Sequence, residues 1–393
     1  MPVDLVRDAA IDVILRVFDR GVYLDVSLDK TLRRKKPSDR GRRFMTQLAY
    51  GTVRHRLLCD FILQKLCHQA LDELPTPILA ILRMGVFQSL FCDNVTHPAM
   101  VHTSVDLAKR RHHAGTARMV NAILRKVPQS LDEVQLPDKA EDLHKYLRIR
   151  YSMPKWLARD WMKQFGDETA EELCIACDSP APMSIRVNTL CTEKDKLQED
   201  LARSGCIMAS QTPIPEELTL MDGGKLVSTK WFQQGHFMIQ DPASMLPPHL
   251  LDPQEGEHIL DMCAAPGGKT THIAQLTHDK ARIIAMDQGQ YRLQKIGENL
   301  NRLNMESVEL LCGDGAKPPL RGEFDKILVD APCSGLGTIR RHPDIKDNIK
   351  PMDIQRLAHQ QLRLLRSAIA LCKNNGIIVY SVCTISLEET QEV

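Results

Sequence analysis

Among the twelve cysteines of this chain, two sit where a thiol could do chemistry. Cys333 lies in Asp330-Ala331-Pro332-Cys333-Ser334-Gly335, and Cys383 in Tyr380-Ser381-Val382-Cys383-Thr384. Each follows a short apolar run of strand character, so each belongs at a strand end. A thiolate at such a position is a nucleophile that can form a covalent intermediate and divide one difficult step into two. Most of the other cysteines read as small buried apolar residues, and no disulfide framework of the secreted kind is expected.

A ligand-binding turn precedes the two cysteines. Asp261-Met262-Cys263-Ala264-Ala265-Pro266-Gly267-Gly268-Lys269-Thr270-Thr271 follows a strand pattern and opens a helix, and its small residues let the backbone approach a ligand closely. A triphosphate-binding loop ending in Gly-Lys-Thr would need glycine at position 263, which is Cys263. Three further strand ends carry acids: Asp287, Asp314 after Gly313, and Asp330. Together they describe one crevice at the carboxyl edge of a doubly wound sheet, with an acid placed to hold ribose hydroxyls.

These strand ends need a sheet to carry them. From about residue 256, strand-like runs (258–261, 281–287, 308–312, 326–330, 377–381) alternate with helical ones (269–276, 291–303, 355–372), the signature of a βαβ series. Residues 1–130 read as all helix, with apolar spacing in 9–18, 44–53, 57–66, 77–91 and 101–108, and Ser38 or Asp39 as a helix cap. A polar stretch, 129–145, reads as a linker. Residues 146–245 mix a helix from Pro154 to Phe165, a strand at 184–188 and a helix at 194–204, a small α+β subdomain. The expected division is therefore 1–130, 146–245 and 246–393.

Composition is that of a globular protein: 43% hydrophobic, 26% charged, net +1. The charge is unevenly spread. Residues 1–130 hold 21 Lys and Arg against 12 Asp and Glu, a net of +9 that leaves −8 for the rest. A basic helical module points to nucleic acid, with Arg33, Arg34, Lys35, Lys36, Arg40, Arg42 and Arg43 as phosphate contacts. Arg186 and Asn188, on the middle strand, are further candidates for RNA contact, whereas Trp156 and Trp161 read as core. Asp39 and Arg54 are read as possible structural partners. No apolar run is long enough to span a membrane, and no signal segment is visible, so a cytoplasmic location is the default expectation. Cys174-x-x-Cys177 lacks a second pair at zinc-finger spacing, and His112-His113 reads as a solvated basic helix end, so no metal site is expected.

The loop, the Pro-Cys and the Thr-Cys-like segments resemble the Nol/Nop/Sun family of RNA 5-methylcytosine methyltransferases. Ile339-Arg340-Arg341-His342-Pro343-Asp344 and Gln240-Asp241-Pro242-Ala243-Ser244 strengthen that resemblance. The N-terminal module resembles the NusB antitermination-factor fold through Ser38–Phe44, Tyr50–Arg56 and Asn121–Arg125. The resemblance implies three parts: an all-α NusB-like bundle, a small α+β RNA-recognition-like subdomain and an α/β Rossmann-like methyltransferase domain. It implies S-adenosyl-L-methionine as cofactor, with Cys263, Ala264, Ala265, Pro266, Gly267, Gly268 and Lys269 around its methionine moiety. Asp287 would hold the ribose, Asp314 would sit near the adenine, and Asp330 would face both cofactor and base, with Lys269 as a possible partner of these acids. Cys383 would attack C6 of a cytosine, making C5 nucleophilic, and Cys333 would assist product release. The implied partner is 16S ribosomal RNA before full subunit assembly, met by a monomer.

Two departures from the family pattern are visible. Val382 stands where Thr or Ser usually precedes the nucleophile. The family also continues roughly forty residues past this point, so at Val393 the sheet is expected to be C-terminally truncated, without its closing strands and with an exposed edge. A competing reading is a non-catalytic RNA-binding or ribosome-assembly factor. A DNA cytosine methyltransferase, which uses the Pro-Cys thiol as its nucleophile, would leave Cys383 and the NusB-like module unexplained.

Overall fold

The computed structural model describes residues 4–208, 213–222 and 226–393. The first three residues of the expected helical region 1–130 lie outside the described residues. Helices in chain order are α1 (Leu5–Arg20), α2 (Leu24–Lys35), α3 (Asp39–Arg54), α4 (Arg56–Leu66), α5 (Thr76–Phe91), α6 (His97–Arg111), α7 (Ala114–Leu124), α8 (Leu143–Arg150), α9 (Lys155–Phe165) and α10 (Asp167–Asp178). There follow β1 (Met183–Val187), α11 (Lys194–Arg203), β2 (Ile207–Met208), β3 (Glu217–Asp222), α12 (Lys230–Gln233), β4 (Phe237–Ile239) and α13 (Pro242–Leu251). The last part comprises β5 (His258–Asp261), α14 (Gly268–Leu276), β6 (Arg282–Asp287), α15 (Gln290–Leu303), β7 (Val308–Cys312), β8 (Phe324–Asp330), α16 (Ile345–Asn348), α17 (Pro351–Leu371) and β9 (Cys372–Ser381). By packing, the chain forms two compact units, one of residues 1–180 with 337–350, the other of 181–336 with 351–393.

The first unit is helical, and local chemistry sets its helix ends. Asp4 caps α1 by accepting from the backbone N–H of Val6 and Arg7, and Gly21 ends it in the left-handed conformation. Ser38 caps α3, as its position suggested. Ile11, Ile14, Leu48, Leu63 and Ile78 belong to one continuous apolar core. Gly51 lets α3 lie against α5, since a Cβ there would sit 1.9 Å from the Phe87 ring. Trp161, on α9, is buried as expected. The sequence reading missed α2 and α7. The apolar side of α2 is narrow, with Leu24 and Leu28 buried, and its last turn is the basic run Arg33-Arg34-Lys35, which reads as loop but suits the negative end of a helix. His113, read as part of a solvated helix end, caps α7.

Residues 337–350 pack in this unit although they lie late in the chain. Buried Arg54 donates to the carbonyls of Cys177, Ser179 and Arg340. Arg56 forms a fork with the Asp347 carboxylate, and the buried Lys346 ammonium donates to the carbonyls of Arg54 and Tyr151.

The second unit holds two sheets. The smaller is antiparallel, in the order β2-β3-β1-β4. The larger is wholly parallel, in the order β7-β6-β5-β8-β9. Strand order reverses between β5 and β8, the switch point at which open α/β sheets bind ligands. Both faces of the large sheet are apolar: Ile259, Ile283 and Leu328 face the α14–α15 side, whereas Leu260, Ile327 and Val329 pack with Leu364 and Ala368 of α17. Among the described residues no helix is long and apolar enough to cross a membrane.

Candidate active site

The carboxyl edge of the parallel sheet collects the acids in the order Asp314, Asp287, Asp261, Asp330, following the strand order. The loop after β5 turns through Gly267, whose φ of +97° is left-handed and whose Cα faces Ile296 so closely that a Cβ would stand 3.0 Å from its Cγ2. Only glycine meets both conditions without strain. The loop is tied to the next strand: Asp287, 3% exposed, accepts from the backbone N–H of Ala265 at 3.3 Å and of Gly289 at 3.0 Å. Asp314 accepts from the Ala316 N–H at 3.0 Å and from Gln288 Nε2 at 2.8 Å, and these bonds, the backbone one foremost, hold its carboxyl below the usual range.

Asp261 is fully buried. It accepts from Thr270 Oγ1 at 2.7 Å, yet burial raises its carboxyl to about 7. Its role in the structure is to hold the first turn of α14. Lys269, next along that helix, reaches Asp330 with Nζ–Oδ2 at 2.6 Å, and Ser381 of β9 donates to the other Asp330 oxygen at 2.7 Å.

The two cysteines meet. Cys333 Sγ and Cys383 Sγ are 3.1 Å apart, and the Cys383 backbone N–H also points at Cys333 Sγ, at 3.2 Å. The sulfur–sulfur hydrogen bond, in which either thiol can be the donor, lowers Cys383, whereas the same bond and burial push Cys333 up. Cys383 is the more exposed of the two and the one whose ionisation is favoured. Cys263, in the same crevice, is raised to about 12 by burial and stays a neutral thiol.

The sequence reading missed the group that holds the cysteine loops together. Glu389 is fully buried. It accepts from the Ser334 N–H at 2.8 Å, from Ser334 Oγ, and from Gln361 Nε2 at 3.0 Å. Gln361 also reaches the Pro332 carbonyl, and Tyr380 donates to the Glu389 carbonyl at 2.8 Å. Thus the loop after β8 and the loop after β9 share one carboxylate. In sequence, Glu389 sits in an acidic run that looks solvated.

Two expectations about RNA contacts change. Arg186, placed on an RNA-facing strand by alternation, is 1% exposed. Its guanidinium donates to the Gly268 carbonyl at 2.6 Å, to Thr271 Oγ1 at 2.9 Å, to Gln275 Oε1 at 3.2 Å and to Gln240. It braces the start of α14 from behind and has no face left for a phosphate. Asn188 is likewise buried, donating to the carbonyls of Gly235 and Leu303. In the helical unit, Arg33, Arg34, Lys35, Lys36, Arg40, Arg42 and Arg43 are all exposed, at the end of α2 and the start of α3. Arg33 pairs with Asp29 and Arg34 with Asp12. Arg54 is a structural residue, spent on the three carbonyls described above.

A five-stranded parallel sheet with an acid at four of its five strand ends and a glycine turn at the switch point defines a Rossmann-like methyltransferase domain, here carried by a chain that begins with a helical module. Comparison with known proteins agrees part by part. Residues 5–129 match the NusB family, residues 153–226 the ferredoxin-like domain of RsmF/B-like methyltransferases, and residues 248–393 the 16S rRNA methyltransferase RsmB/F family. The probable ribosomal RNA small subunit methyltransferase B of Bacillus subtilis is 34% identical over 391 residues, 99% of this chain and 87% of that protein. Among solved structures, PH0851 matches with a TM-score of 0.81 at 26% identity over 98% of this chain and 88% of its own. NSun6 from Pyrococcus horikoshii, solved with SFG, matches with a TM-score of 0.57 at 28% identity over 61% of this chain and 85% of its own. The chain belongs to the ribosomal RNA small subunit methyltransferase B family.

Proposed function

We propose that this protein transfers a methyl group from S-adenosyl-L-methionine to C5 of a cytosine in 16S ribosomal RNA, through a covalent adduct between Cys383 and C6. The observation that carries this reading is the thiol pair, with the Cys333 and Cys383 sulfurs 3.1 Å apart beside the Lys269–Asp330 pair. The strand-end acids fit the cofactor: Asp287 suits a ribose diol, Asp314 the adenosine end, and the small residues 263–268 admit the methionine moiety. When bound, the cofactor supplies an electrophilic methyl group.

The residues then have distinct tasks. Cys383 Sγ attacks C6, and the electron pair of the C5–C6 double bond moves into the ring, giving C5 nucleophilic character. Asp330, held by Lys269 and Ser381, hydrogen-bonds the cytosine ring and orients it. After the C5–methyl bond forms, a base takes the C5 proton, the Cys383–C6 bond breaks, and the thiolate returns. Cys333 assists this last step. The target base must leave its stack to reach the thiolate, and the exposed basic run of the NusB-like module contributes phosphate contacts that hold the RNA.

The test uses precursor 30S RNA and labelled cofactor. Cys383→Ala is expected to abolish methylation, and Cys333→Ala to accumulate an RNA–protein adduct visible on a denaturing gel. Methylation by Cys383→Ala at the parent rate would overturn the mechanism. A map of 5-methylcytosine in ribosomal RNA with and without the gene would identify the modified position.

A further inference from the structure

The second unit contains a cluster that the proposed chemistry does not use. Glu216, at the start of β3, His249 on α13 and His272 on α14 bring three ligand atoms within 4.8 Å of one another, and among the described residues this is the one such group. His249 Nε2 lies 2.8 Å from Glu216 Oε1, and His272 Nε2 touches the same oxygen. The two rings stand edge to face, with centroids 5.0 Å apart at 88°. His272 is wholly buried; its Nε2 meets only the Glu216 carboxylate, and its Nδ1 has no hydrogen-bond partner. A buried ring nitrogen in that state is costly, because it has given up water for nothing equivalent.

Two imidazoles and a carboxylate are side chains of the kind that bind a divalent metal. Arg186, the neighbouring cation, is committed to Gly268, Thr271, Gln240 and Gln275. His249 is one-third exposed, which leaves a route for an ion and a water as fourth ligand.

We propose that Glu216, His249 and His272 form a divalent-metal site of the zinc class, with three protein ligands and one open position. Tetrahedral coordination at zinc bond lengths sets ligand atoms about 3.4 Å apart, so the carboxylate moves outward by roughly an ångström on binding. The ion would join the small sheet, α13 and α14. It would sit one turn beyond Lys269, behind the loop that receives the cofactor. Its role is that of a staple, and it takes no part in the methyl transfer.

The experiment uses the full chain, stripped with chelator and kept reduced, to which Zn²⁺ or Co²⁺ is added. Free thiols are the competing ligands, so a Cys333→Ser/Cys383→Ser variant is run in parallel. The expected result is one equivalent of zinc per chain, a raised melting temperature, and a cobalt spectrum without thiolate charge-transfer bands, all retained in the double-serine variant. His249→Ala and Glu216→Gln should each weaken zinc binding by about 100-fold or more; if His249→Ala misfolds by circular dichroism, His249→Gln is read instead. The proposal is overturned if the stripped protein neither binds zinc nor gains stability from it. It is equally overturned if binding survives the His249 and Glu216 substitutions, or if cobalt shows thiolate bands.

Discussion

At the scale of single residues, the Cys333–Cys383 hydrogen bond is the largest influence on the ionisation of Cys383. With Cys333 as donor it favours the charged form, so removal of Cys333 is expected to raise the Cys383 pKa. A hydrogen bond to a charged group is worth about 1.5–3 kcal/mol, or roughly 1–2 pKa units at 1.36 kcal/mol per unit. The pH profile for alkylation of Cys383 by iodoacetamide is therefore expected to shift to higher pH by that amount in Cys333→Ala. An unmoved profile would show that the thiolate is stabilised elsewhere, with Lys269 the next candidate. Both cysteines were legible in the sequence because each follows a strand-like run and sits in a distinctive local setting. Glu389 was not, because an acid among acids declares nothing about burial. Arg186 was misread for a related reason: alternation along a strand says which face a side chain takes, not whether another element covers that face.

At the scale of elements, the turn into α14 and the Glu389 hub position everything else. Gly267→Ala is expected to cost at least about 1–2 kcal/mol from backbone strain alone, with a further loss where the methyl meets Ile296. A lower melting temperature and weaker binding of a cofactor analogue by calorimetry would register it. Glu389→Ala removes a buried acceptor from Ser334 and Gln361, leaving their donors unsatisfied at roughly 1–3 kcal/mol each. It should loosen both cysteine loops, reducing methylation more than it reduces RNA affinity. The βαβ series was readable because its period changes from 2 to 3.6 and back at each element. α2 was not, since only Leu24 and Leu28 mark its buried side and its basic end mimics a loop. α13 was also unread: Pro247 and Pro248 lie within it, and prolines ordinarily argue against a helix interior.

At the scale of the whole molecule, charge and chain path matter. If the exposed run at 35–43 binds RNA phosphates, replacing Lys35, Lys36, Arg40, Arg42 and Arg43 with Gln should flatten the dependence of log affinity on log salt by about 0.7–0.9 for every phosphate left without its cation. An unchanged slope would place the RNA elsewhere. Asp347→Ala removes the partner of the Arg56 fork, whose side chains are 26% and 21% exposed. After discounting for that exposure, a loss of about 2–3 kcal/mol is expected in urea unfolding of the helical unit. The expected 246–393 domain included Asp347, because linear order gives no hint that residues 337–350 pack with the first 180.

That late segment has a consequence during synthesis. The helices of the N-terminal module leave the ribosome first, but Asp347 follows Arg56 by 291 residues. At elongation rates of about 5–20 residues per second, the gap lasts roughly 15–60 s. Throughout that interval Arg56 has no carboxylate from Asp347, and the carbonyls of Arg54 and Tyr151 have no ammonium from Lys346. The nascent module must wait in a provisional state, and its final packing becomes a report that the strands up to β8 have already been made.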